Sequence, residues 1–108
     1  MATPTTRTAE NGSTVMELAG RLNVGNNLTT VETAIFEVIR AGNKSLVIDV
    51  SKLEYIDSAS LGMLIGCSKA ANEVGAEMRI AAPQGLVART MKLIQMDKVI
   101  PIDDSVPQ

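Results

Sequence analysis

A chain of 108 residues and 11.4 kDa has room for one compact domain, and a 45% hydrophobic share suffices for an ordinary core without staples. With 10 Lys+Arg against 12 Asp+Glu, the net charge of −2 and pI near 5.0 argue against a nucleic-acid partner. The absence of His excludes a Ser-His-Asp triad, a His-bearing zinc site and an imidazole switch, and the single Cys67 excludes an internal disulfide and fits a reducing compartment.

The start, Met1 to Arg7, has no apolar signal region, and nothing approaches the roughly 18 apolar residues of a membrane span, so a cytoplasmic chain without membrane contact is expected. Residues 1–3 and 104–108 are expected to fray. Pro4 to Glu10 reads as an edge strand, because Asn11-Gly12 after it accepts the positive φ of a hairpin turn. Ser13 to Ala19 alternates, with Met16 and Leu18 against Val15, Glu17 and Ala19, as a half-buried strand does. From Leu28, apolar residues at Leu28, Val31, Ile35, Val38 and Ile39 predict a helix that Gly42 stops.

The β-branched run Leu46 to Val50 predicts a central strand buried on both faces. Leu61, Leu64, Ile65, Ser68 and Ala71 form one side of a second helix ending near Gly75, and Ala76 to Ala82 alternates as a strand. Pro83 is expected to open a third helix with Leu86, Val87, Thr90, Met91 and Ile94 inward, followed by a last strand over Val99 to Ile102. This order predicts an α/β domain whose mixed, mostly parallel sheet of about four to five strands is covered by about three helices through right-handed crossovers. Periodicity leaves open how the helices divide between the sheet faces. Leu46, Ile48, Val50, Leu61, Leu64 and Ile80 should share one core.

The densest signal is Leu53 to Gly62, placed between the central strand and the second helix. Asp57 and Ser58 are both good N-cap residues, and capping alone accounts for such a pair. A hydroxyl at a helix start also sits where free amides and the positive dipole end welcome an anion, including a phosphate ester on the Ser itself. Ser58, Gly62, Gly66 and Lys69 share one helical side that is nearly bare backbone. Two helical glycines cost about 1 kcal/mol each against Ala, and spacing leaves two reasons equally open: close packing on the sheet, or close approach of a partner. Met63 falls off the core stripe as a candidate partner contact, and Cys67 reads as a small buried hydrophobe.

These residues carry a resemblance. Tyr55-Ile56-Asp57-Ser58-Ala59-Ser60-Leu61-Gly62 resembles the phosphoacceptor motif of the STAS domain, as in bacterial anti-sigma factor antagonists. Gly20-Arg21-Leu22-Asn23 resembles the family's turn after its second strand, Leu46 to Val50 its central strand, Gly75 to Met78 its helix exit, and Val87 to Ile100 its third helix and last strand. The resemblance implies a single STAS domain over 1–108 that is not an enzyme and holds no cofactor or metal. It implies that Ser58 is phosphorylated by a serine kinase that is also the anti-sigma factor. The unphosphorylated form binds this partner, the phosphorylated form releases it, and a metal-dependent serine phosphatase resets the switch. Asp57, Ala59 and Ser60 complete the phosphoacceptor loop, while Asn23, Ser58, Gly62, Met63, Gly66 and Lys69 form the partner surface of a monomer or weak dimer.

Three departures bear on this. Ser60 stands where the family often has Gly, so a second hydroxyl shares the turn and is the alternative acceptor. Asn23 stands where the family usually has Asp, and the chain runs only to Gln108 after Asp103-Asp104. A STAS scaffold or transporter-associated subunit that is never phosphorylated is the alternative function. A nucleotide-binding module is disfavoured because no phosphate-loop or dinucleotide fingerprint occurs.

Overall fold

The computed structural model describes residues 4–25 and 27–108. Strand β1 (Thr5–Thr8) and β2 (Thr14–Leu22) form an antiparallel hairpin. Then follow α1 (Leu28–Arg40), β3 (Ser45–Ile56), α2 (Ser58–Glu73), β4 (Glu77–Ala81), α3 (Gly85–Leu93), a 3-10 turn (Met96–Lys98) and β5 (Ile102–Asp103). The sheet order is β1-β2-β3-β4-β5, with every pair after the first parallel. The predicted mixed α/β class and element order are therefore observed.

Topology decides what periodicity left open. Three successive right-handed crossovers that all step the same way along the sheet place α1, α2 and α3 on one face. There Leu46, Ile48, Val50, Leu61, Leu64 and Ile80 join one core with Val31 and Ile35 of α1 and Val87 and Met91 of α3. Among the described residues, the opposite face carries no helix. Its small apolar cluster, Ala9, Val15, Val47 and Ala81, is covered by Val106.

The tail expected to fray over 104–108 is tied down: Arg7 donates to the Pro107 carbonyl, the Glu10 amide to that of Gln108, and Arg79 grips Asp103 through two hydrogen bonds of 2.7 and 2.8 Å. Residues 1–3 lie outside the described residues. Each carboxylate-guanidinium contact holds the Asp103 carboxyl below its ordinary range and the Arg79 guanidinium above its own.

Several boundaries move. The hairpin strand ends at Thr8 because Asn11 Oδ1 accepts the Ser13 amide in an Asx turn within a longer connection, with Gly12 at φ +89°. Strand β3 runs to Ile56, past the expected end of the central run, because β2 pairs with it from Thr14 to Leu22. Gly20 to Leu22 thus lies in a bulged strand, and the turn begins at Asn23. Pro83 does not open α3: Ala82 takes φ +58°, and the extended Gln84 stands at the N-cap position of a helix that starts at Gly85. Leu86 and Ile94, expected inward, are exposed, since only Val87 and Met91 face the sheet and Met96 and Ile100 fill the core beyond. The last strand is Ile102–Asp103, because Pro101 lacks an amide and Val99 is exposed beside the 3-10 turn.

Candidate functional site

The carboxyl ends of β2 and β3 meet where α2 begins. The Asp57 amide donates to the Leu22 carbonyl at 3.2 Å, which brings the β2–α1 turn beside the helix start. Asp57 is the N-cap in an extended conformation. Its Oδ1 accepts the Ser60 amide at 2.8 Å and its Oδ2 the Val24 amide at 3.0 Å. One carboxylate thus clasps two chain segments 33 residues apart. Ser60 first, and the Val24 amide next, hold this carboxyl below its ordinary range, because both favour the charged form.

Ser58 and Ser60 are separated sharply. Ser58 is exposed at the first helical position, whereas Ser60 is wholly buried and its hydroxyl has no hydrogen-bond partner among the described residues. Of the expected acceptor Ser58 and its alternative Ser60, only Ser58 therefore meets solvent in the folded domain. Ala59 is exposed beside Ser58. Asn23 is half-buried, and its side-chain oxygen is buried without a partner among the described residues, so it turns inward rather than facing a partner fully.

Along α2, Gly62, Gly66 and Lys69 are exposed with Ser58. A Cβ added at Gly62 or Gly66 would meet nothing within 4 Å, so close packing on the sheet is not why these glycines are there. Met63 departs from expectation. It is only 8% exposed, belongs to the core, and its thioether lies 3.7 Å from the Cys67 thiol. The wide buried arc of α2 takes in Ser60, Met63 and Cys67 as well as most of the predicted stripe, because the helix packs against both β4 and α1. Burial pushes the Cys67 thiol up to about 11, leaving it unreactive at neutral pH.

The sequence reading missed Val24, an apolar side chain 66% exposed in the turn that Asp57 clasps. Its one signal was an apolar residue within the polar turn Asn23 to Asn27. The site therefore presents a reachable hydroxyl at a helix N-terminus, bare backbone along the next two turns, and one apolar side chain alongside. Free amides and the dipole stabilise an added anion at such a position.

The sequence matches the STAS domain family over residues 3–108. A Thermotoga neapolitana protein provisionally named an anti-sigma factor antagonist is 25% identical over 87 residues, spanning 81% of this chain and 77% of that protein. The crystal structure of an anti-sigma factor antagonist, likewise provisionally named, from Thermotoga maritima superposes with a TM-score of 0.84 at 21% identity, over 95% of this chain and 87% of that one. The Bacillus cell fate determinant SpoIIAA, solved in its phosphorylated form, superposes with a TM-score of 0.69 at 14% identity, over 92% and 89% of the two chains.

Proposed function

The chain belongs to the STAS domain family, and on that premise we propose that it is an anti-sigma factor antagonist whose binding is switched by phosphorylation of Ser58. The observation that carries this reading is the unequal fate of the two hydroxyls: Ser58 exposed at the helix start, Ser60 sealed beneath it. In support, the side of α2 beyond Ser58 has glycines at Gly62 and Gly66 with open space before them, and a relative carries the antagonist name.

The partner is a serine kinase that is also the anti-sigma factor, and a metal-dependent serine phosphatase restores the binding form. The kinase supplies ATP; this chain supplies the hydroxyl. Unphosphorylated, the glycine side lets a partner approach the α2 backbone, with Val24, Ser58 and Lys69 around the contact. Phosphorylation adds about −1.5 to −2 charges at neutral pH. Within the domain that charge is stabilised by the amides at the start of α2, so the fold survives it. Buried in an interface without a cationic partner it costs a few kcal/mol, roughly 100-fold or more in affinity.

The test incubates the purified protein with ATP and the serine kinase encoded nearest its gene, then maps the phosphate. Incorporation should be lost in Ser58→Ala and retained in Ser60→Ala. Ser58→Asp should fold normally and bind the kinase poorly. A protein that stays unmodified while binding the kinase would instead support the unphosphorylated scaffold reading.

A further inference from the structure

The described residues include six exposed large apolar side chains, and four of them fall in one stretch: Leu86 and Leu93 on α3, Ile94 just after it, and Val99 just after the 3-10 turn. Leu93 is 77% exposed and Leu86 55%. Seven residues apart on one helix, these two project to the same side. A small domain that has buried its core so fully gains nothing internally from this concentration of apolar surface, and such clusters mark contact sites.

Three cations are interleaved with them: Arg89, Lys92 and Lys98, all exposed, none in an ion pair among the described residues. Only Asp97 opposes them locally, although the whole chain carries more acids than bases. A separate apolar cleft of about 260 Å³ lies on the flank of α3 toward β5, lined by Ala88, Met91 and Ile102 and rimmed by Lys92 and Asp97, away from the two leucines. Exposed leucines beside unpaired cations are the complement of an amphipathic helix with acidic flanks.

We propose that the outer side of α3 is a second docking surface, which receives an acidic amphipathic helix of a partner protein. This does not depend on the switch at Ser58. Pairing two copies through this surface would set the three cations against their own counterparts, which disfavours a self-complementary dimer. A membrane surface is disfavoured because the chain as a whole is net acidic and Asp97 sits beside Lys92 at the cleft rim.

The test follows backbone amide resonances of the isotope-labelled protein as a synthetic helical peptide is added. The peptide is about 14 residues long, with Leu repeating at helical spacing and Glu between. A twin with every Glu changed to Lys is the control. The acidic peptide should shift resonances within 83–102 and spare α2. Leu93→Ser, and separately Arg89→Glu with Lys92→Glu, should each weaken it about tenfold or more. Both variants alter exposed side chains, and an unchanged melting temperature confirms that they fold. Ser58→Asp should leave this binding untouched while affecting the kinase, which keeps the two proposals separable. Four results overturn the proposal: no binding of the acidic peptide at millimolar concentration, equal binding of the basic twin, sedimentation with phosphatidylglycerol vesicles in preference to the peptide, or a concentration-dependent dimer abolished by Leu93→Ser.

Discussion

Asp57 concentrates more of the site's geometry than any other residue, since its two oxygens hold the first turn of α2 and the turn bearing Val24 at once. Its carboxyl is held below the usual 3.8, so the stabilisation is fully present above that pH and disappears as pH falls through the lower folded-state value. Asp57→Asn should therefore melt below the parent protein at neutral pH, and the gap should close on acidification below pH 3.8, as thermal unfolding across pH will show. A second residue bears strain. Gln95 follows α3 at φ +57° and is exposed, the position where helices favour glycine. Gln95→Gly should raise stability by about 1 kcal/mol, measured from the urea midpoint. No gain would mean that the Gln side chain contributes something comparable there.

In helix α2 stability and the proposed partner binding pull apart. Gly62 and Gly66 stand in mid-helix with open space before them, so each weakens the helix by about 1 kcal/mol without serving packing. Gly66→Ala should accordingly stabilise the domain by about that amount and leave kinase binding little changed. Gly66→Leu should fold equally well but block the partner, because the longer side chain stands on the Ser58 side of the helix. Comparing thermal unfolding with kinase pull-down for the two variants checks both halves. A sharp fall in melting temperature for Gly66→Leu would show that the glycine serves internal packing after all.

At the scale of the molecule, the single helical layer makes one face of the sheet responsible for most of the core. Leu64 is wholly buried in that layer, and Leu64→Ala should cost about 2–5 kcal/mol, a large share of a small domain's stability. A urea midpoint close to that of the parent would contradict this placement. The helix-free face depends on the chain end instead, through Val106 and the contacts of Arg7 with Pro107 and of Arg79 with Asp103. Removing residues 104–108 should uncover Val15 and Val47 and lower the melting temperature, whereas a fraying tail would be lost without effect.

Element order, the α1 stripe around Val31 and Ile35, the buried run Leu46 to Val50 and the Asp57-Ser58 start of α2 were all legible in the sequence, because each depends on neighbours a few residues away. The same local logic identified the bare glycine side of α2 but left its purpose open. Tertiary structure decided the rest. Whether Ser58 or Ser60 meets solvent depends on how α2 is rotated against β4 and α1, and that rotation sealed Ser60 and Met63 together. Val24 joined the site only because Leu22 pairs with Ile56 and Asp57 reaches across to it. Leu86 and Ile94 faced outward once α3 began at Gly85, and all helices came to one face through the sequential strand order. Periodicity records which side chains share a side of an element; which side meets water is settled only when the elements pack.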